Sequence, residues 1–248
     1  MKTKNIIIIM VILIITISCN IEYLGPDNAI EEASKVDFFI YQIHLSASNN
    51  GGAFQCPIIY DAIDRSGGSR LGIRGVIDTT TIKSIAECLR QRPDKHVFLY
   101  AENVIFKDNN KTWPSESFTN VRNLTGIYFP ADMQAIGNNA FYNCTSIEAI
   151  VLGSNFNTMY PRMLASVTNL KHVVYYGSRL DFTGATDGNA WEGIPKGQMT
   201  LYLGNFEGYQ ETNSKGEKYT TTNWAKYTWK KVYYKGEFNI EDIIEVLE

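Results

Sequence analysis

The feature that most constrains this chain is a period of 23 residues in its apolar positions between residues 101 and 192. Leu124-x-x-Ile127-x-Phe129 is followed by Ala140-Phe141-x-x-Cys144, and the pattern reopens at Ile147 and at Leu170, 23 residues on each time. Four apolar columns result: Ala101, Leu124, Ile147, Leu170; Val104, Ile127, Ile150, Val173; Phe106, Phe129, Leu152, Tyr175; and Trp113, Ile136, Met159, Phe182. Two more, Phe118, Phe141, Leu164 and Val121, Cys144, Val167, fill the return side of each coil. A unit this short cannot bury its apolar face alone, so copies must stack and cover one another. The expected fold is an α/β repeat, a solenoid of 23-residue units around a sheet of short strands.

A polar column runs in the same register, since Asn109, Asp132, Asn155 and Ser178 sit three residues after the last strand position. In a leucine-rich repeat, L-x-x-L-x-L-x-x-N/C-x-L, that site turns the chain away from the strand and its side chain bonds backbone groups of neighbouring coils. The stretch Leu124-Thr-Gly-Ile-Tyr-Phe-Pro-Ala-Asp-Met-Gln-Ala-Ile-Gly-Asn-Asn-Ala-Phe-Tyr-Asn-Cys-Thr-Ser-Ile147 resembles the BspA-like leucine-rich repeats of bacterial surface proteins. The resemblance covers residues 76 to 235, with Leu201-Tyr-Leu and Asn223-Trp looking like that family's usual ending. The first copy departs from it with Ser117-Phe118 and the third with Met163-Leu164. In the fourth, Ala190-Trp191 stands in the Ala-Phe position, with Trp191 lying 27 residues after Leu164, which implies a four-residue insertion around Gly184 to Gly188. The resemblance implies a surface adhesin or interaction protein, without shared catalytic residues and without a named ligand.

Lys2 and Lys4 precede an apolar run from Ile6 to Ile17, then Ser18-Cys19, the order of a secretory signal. The run is too short to span a bilayer comfortably. A cysteine at the cleavage point resembles a bacterial lipoprotein signal, in which Cys19 is lipidated and anchors the chain in the cell envelope; Thr16 fits that pattern less well than Leu would. Loss of residues 1–18 takes the net charge from −3 to −5, because two lysines and no acids leave. Nucleic acid is thereby an unsuitable partner, since phosphate neutralisation needs a basic face. The short Trp229-Lys230-Lys231 stretch reads as a solvated strand edge.

The expected organisation is a signal peptide over 1–18, a tether and amino-terminal region over 19–75, a leucine-rich-repeat domain with its cap helix over 76–192, and a carboxy-terminal cap over 193–248. Asp27 to Ile40 fits a helix, while Phe38 to Leu45 fits a strand almost as well. Pro57 opens a short helix through Ile63, stopped by Gly67-Gly68. A clearer helix spans Thr81 to Arg92, with threonines as N-caps and Pro93 beyond, and Val97 to Tyr100 form a strand leading into the repeats. Past Trp191, Leu201 and Leu203 mark a strand one residue out of register, and Trp224, Tyr227, Trp229, Val232 and Tyr234 form an aromatic cluster that closes the far end. Asn239 caps a last helix with Ile240, Ile243, Ile244 and Leu247 on one face.

Cys144 sits in an apolar column and reads as a buried small side chain. Cys56 and Cys88 remain, and an exported location permits a bridge between them. No cofactor and no metal is expected, because neither the cysteines nor His44, His96 and His172 fall into a ligand or catalytic motif. The competing function is a secreted cysteine-dependent hydrolase with Cys56 and His44 as a thiolate–imidazole pair in residues 20–75.

The repeat reading leads instead to a binding module, because stacked repeats leave one side of the sheet free. The outward column is Ile105, Tyr128, Val151, Val174, flanked by Asn103, Gly126, Ala149, His172 and by Lys107, Pro130, Gly153, Tyr176. Its apolar centre is a candidate interaction surface unless the amino-terminal segment folds over it. Five strands about 4.8 Å apart offer on the order of 400 Å². That is half of the roughly 800 Å² per partner in a standard interface, so affinity would be modest and aided by many copies on one membrane.

Overall fold

The computed structural model describes residues 42–46, 56–178, 189–206 and 221–245. The signal segment, Cys19, the alternative helix at Asp27–Ile40, Phe182, the insertion loop and Leu247 lie outside these residues. Among the described residues eleven strands form two parallel sheets: β1 Gln42–Ser46, β2 Arg70–Ile77, β3 Val97–Phe106, β5 Leu124–Tyr128, β7 Ala149–Leu152, β9 His172–Tyr175, β10 Thr200–Leu203 and β11 Lys231–Tyr234 in the larger, and β4 Thr112–Trp113, β6 Ala135–Ile136 and β8 Thr158–Met159 in the smaller. Spatial order follows chain order in both. Parallel neighbours need a crossover between them; from β3 to β9 each crossover is a coil of the repeat carrying a two-residue strand on its far side, whereas those before β3 carry helices and those after β9 carry short 3-10 turns.

Within the repeats the register is the one the sequence period predicts. Ile127 lies opposite Ile150, and Ile150 opposite Val173, while Trp113, Ile136 and Met159 align in the small sheet. These side chains, with Phe106, Phe118, Phe129 and Phe141, belong to one continuous core. Trp113 is its aromatic centre, with ring centroids of 5.2 Å to Phe129 and 6.0 Å to Phe141.

The first coil differs from expectation. Ala101, Val104 and Phe106 are buried, but the residues opposite β5 are Val97, Leu99 and Tyr100, which meet Leu124, Ile127 and Tyr128. The later half of β3 pairs with β2 instead, after a bulge opposite Gly72–Arg74. Asn123 sets this register: buried, it directs its side-chain amide at the carbonyls of Leu89, Arg92 and Lys95 at 2.8–2.9 Å, fixing where the chain enters β3. At the other end Val173 meets Leu201, a step of 28 residues, which equals the period plus a four-residue insertion and the one-residue offset read from the sequence.

The bends also differ in how they are held. Asp132 of the polar column is half-buried and Asn109, Asn155 and Ser178 are exposed, and the bonds between coils there run through the backbone, as from Asn155 N–H to Ala131 O at 3.1 Å. On the return side two columns with the 23-residue spacing adopt left-handed backbone: Glu116, Asn139, Arg162 and Asn120, Asn143, Ser166, with φ between 52° and 62°. Asn120 and Asn143 donate their backbone N–H groups to Tyr142 and Ala165 of the next coil, and Ser166 continues the series to Glu192 at 2.7 Å. Asparagine tolerates this conformation better than other side chains, which explains its recurrence there.

Helix α1 (Cys56–Arg65) ends near Gly67 and Gly68, both at positive φ, as the sequence indicates. Helix α2 spans Thr79–Arg90, two residues earlier than expected, because its N-cap is Asp78, whose carboxylate accepts from Thr81 N–H at 2.9 Å. Cys56 and Cys88 form a disulfide between the two helices. The sheet does not divide at residue 75, which lies inside β2, so residues 42–46 and 56–75 are part of the folded body and not a tether. Helix α3 (Ile240–Glu245) follows β11, with Asn239 Oδ1 accepting from Glu241 N–H at 3.2 Å.

Candidate binding face

Alternation along each strand sends every second side chain away from the core. The pairing carries those side chains into a continuous row across six strands: Tyr100, Tyr128, Val151, Val174, Tyr202 and Tyr233. A second row beside it runs Arg70, Phe98, Gly126, Ala149, His172, Thr200 and Lys231. Gly126 is small for a reason: a Cβ there would lie 2.5 Å from the Phe98 ring and 2.8 Å from Ala149 O, so Phe98 fills the space over the strand.

The expected column is thus corrected at one end. Ile105 is not in line with Tyr128; it faces solvent at 60% exposure beside Val76, its partner on β2. The first member of the column is Tyr100. Tyr128, Val151 and Val174 are in line as expected, with His172 in the flanking row and Tyr176 just beyond β9.

The column is also covered, and from the opposite end of the chain to the one considered. Val151 and Val174 are 1% and 0% exposed. Ile243 of α3 shares their cluster with Tyr202, against which Tyr128, Tyr176, Tyr233, Phe238 and Ile240 pack. Ile244 forms a second cluster with Phe98, Tyr100 and Ala149. Sequence reasoning identified the apolar stripe of α3 but had no signal for where it docks.

Aromatic walls flank the helix seat. Tyr202 stacks on Tyr233 at 5.2 Å and meets the edge of Phe238 at 5.1 Å, while Phe98 and Tyr100 lie 4.8 Å apart on the other side. Burial pushes the phenols of Tyr100 and Tyr128 up to about 12 and raises those of Tyr176 and Tyr202. His172 Nδ1 lies 2.9 Å from the Tyr202 hydroxyl, and burial, followed by the charge of Lys171, holds its imidazole below its ordinary range.

Among the described residues no catalytic constellation accompanies this face. Cys56 is bonded to Cys88, which removes the nucleophile from the hydrolase reading. Cys144 is buried, its thiol donates to Phe118 O at 2.9 Å, and burial pushes it up to about 12, so it is protonated and inert. Among the described residues no group of three or more His, Cys, Asp or Glu side chains is placed to hold a metal, and no helix is long and apolar enough to cross a membrane.

The strand register, the return-side ladder and the apolar columns agree with a match over residues 96–183 to the family described as BspA type Leucine rich repeat region (6 copies). Residues 96–183 are BspA-type leucine-rich repeats. No curated protein and no solved structure matches the chain. The leucine-rich repeats begin just before β3 and end past β9, so they supply the middle of the candidate face. Repeats of this family are typically non-catalytic and serve protein interaction.

Proposed function

We propose that this protein is an exported, lipid-anchored binding module that recognises a protein or other extracellular ligand through the solvent side of its repeat sheet and performs no chemistry. The observation that carries this reading is the row from Tyr100 to Tyr233, apolar and aromatic on the side of the sheet away from the main core, its centre covered by the single short helix α3 and its margin towards β1 open. A repeat stack uses such a surface for recognition. Val76 and Ile105, 40% and 60% exposed on paired strands, extend it with open apolar area towards β1.

Export is supported by the signal-like start ending at Cys19 and by the Cys56–Cys88 bridge, since disulfides persist in oxidising compartments. In this reading α1 and α2 close one end of the stack, and the cluster of Trp191, Trp224, Tyr227 and Trp229 closes the other. The indole of Trp191 donates to Ala225 O at 3.0 Å and that of Trp229 to Trp224 O at 2.9 Å, so both rings bury with their polar atoms satisfied. Adhesion is the biological use that fits an anchored molecule of this kind. Eight strands about 4.8 Å apart span roughly 34 Å, so the face is still smaller than a standard interface and gains from many anchored copies.

The test is affinity capture from extracellular matrix or host-cell surface extracts with the soluble Cys19→Ala protein. A specific partner retained by wild-type sequence and lost on Ile105→Asp supports the reading. Retention of nothing, or of the same partner by both proteins, speaks against this face.

A further inference from the structure

At the margin of the sheet face, on β2 and β3, stands an arginine that nothing in the described chain neutralises. β3 pairs with β5 only as far as Tyr100, and its continuation to Phe106 runs beside β2. The bulge opposite Gly72–Arg74 and the left-handed Gly75, at φ 95°, re-aim the side chains of this stretch. Val76 and Ile105 emerge there as an exposed apolar pair, with Arg74 two residues before Val76 and opposite Asn103. Neither Val76 nor Ile105 belongs to the clusters that α3 covers.

Arg74 is half-buried, and its Nε is shut off from water without a hydrogen-bond partner. The other arginines of the described residues are provided for. Carboxylates lie 2.6–3.3 Å from Arg65, Arg90, Arg92 and Arg162, Arg70 is engaged as well, and Arg122 is exposed. The Nε of Arg162 also lacks an aligned hydrogen bond, but it has Glu192 at 3.1 Å. A buried charged donor without an acceptor opposes folding, so the fold itself supplies no reason for a cation at position 74. An incoming carboxylate supplies the missing acceptor, and its geometry suits the planar guanidinium. Val76 and Ile105 favour aliphatic contact at the same place. A sulfated or phosphorylated polyanion fits less well, because it needs several cations together, whereas the neighbours here are apolar and the chain carries a net charge of −3.

We infer that this margin of the sheet anchors a protein segment presenting an aspartate or glutamate between aliphatic side chains, with the carboxylate pairing to Arg74 and the aliphatic groups covering Val76 and Ile105. This rests on the sheet face being the recognition surface and specifies the chemistry of its ligand.

The probe is the peptide acetyl-Gly-Val-Glu-Val-Gly-amide, titrated to about 10 mM, since a single ion pair with two apolar contacts is a weak anchor. It is added to the soluble Cys19→Ala protein and read by NMR from the Arg74 Nε–H signal and the Val76 and Ile105 methyl signals. The three should shift together, and the analogue with glutamine for glutamate should bind at least about tenfold more weakly, the loss of one charge-assisted pair. Arg74→Met should weaken the glutamate peptide by the same factor and melt no lower than the parent protein, because it removes a charge that the fold leaves unpaired. If that variant does not fold, the comparison of the two peptides on the parent protein still decides. A third peptide, acetyl-Gly-Val-Gln-Val with a free carboxyl terminus, offers a chain end in place of a side chain and should bind no better than the glutamine analogue. Equal binding of the glutamate and glutamine peptides, no shift up to about 10 mM, unchanged binding by Arg74→Met, preference for the free chain end, or shifts caused by a heparin tetrasaccharide and not by the peptide overturns the proposal. These outcomes are separate from partner capture: a captured partner lost on Ile105→Asp but retained by Arg74→Met leaves the face as the recognition surface and removes the carboxylate from its ligand.

Discussion

Ser166 shows how the repeat is built at the level of single residues. It occupies the left-handed column with Asn120 and Asn143, and those two asparagines also bond through their side chains at 2.7 Å. A non-glycine residue in this conformation costs about 1–2 kcal/mol, less for asparagine. Ser166→Asn keeps the backbone bond to Glu192, relieves part of that cost and should stabilise by about 0.5–1 kcal/mol, measured as a raised urea midpoint with unchanged slope. A lowered midpoint would mean that the side chain, and not the backbone, decides this position. His172 gives a pH-dependent counterpart. Its folded value lies below that of the unfolded chain, so the unfolded chain takes up the proton first as pH falls. The stability from this group is present above the unfolded value of about 6.5 and lost below it. Between about pH 7 and pH 5.5 the melting temperature of wild type should therefore fall further than that of His172→Gln; parallel curves would exclude His172 from the balance.

Among the elements, the disulfide joins α1 to α2 across 32 residues and ties the least periodic part of the chain to the repeats. Closing a loop of that length constrains the unfolded chain by about 3–4 kcal/mol. Cys56→Ser/Cys88→Ala should accordingly melt about 10 °C below wild type, and reduction of wild type should reproduce the shift. The elements that were legible in the sequence are those with a local signature. The period placed β5, β7 and β9 in register, Pro57 and the Gly67-Gly68 pair bounded α1, and Asn239 marked the start of α3. What was not legible depended on distant contacts. Val97 and Leu99 are as apolar as Val104 and Phe106, so the pattern could not choose which of them faces β5. The choice is made by Asn123 reaching back to α2. Likewise the stripe Ile240, Ile243, Ile244 announces a buried helix face without saying which surface buries it. Alternation along the strands thus put Tyr128, Val151 and Val174 in one line, while the place of Ile105 beside Val76 and the cover over the column depended on distant contacts.

On the scale of the whole molecule, the eight-stranded sheet turns one broad side away from the main core, and the apolar centre of that side is shielded by α3. That cover keeps the apolar centre away from water, where a large exposed apolar patch would promote association. Anchoring is checked by phase partitioning of whole cells: wild type should enter the detergent phase and Cys19→Ala the aqueous phase, and equal partitioning of the two would reject lipidation of Cys19.

The central claim, that recognition occurs on the solvent side of the repeat sheet, is tested most directly by site-specific photo-crosslinking on intact cells. A benzophenone side chain is placed at Ile105 or Val76 on that side, 60% and 40% exposed, or at Tyr160, which is 40% exposed next to the small sheet. The account predicts adducts of one partner from Ile105 and Val76 and none from Tyr160. Adducts from Tyr160 alone would contradict it.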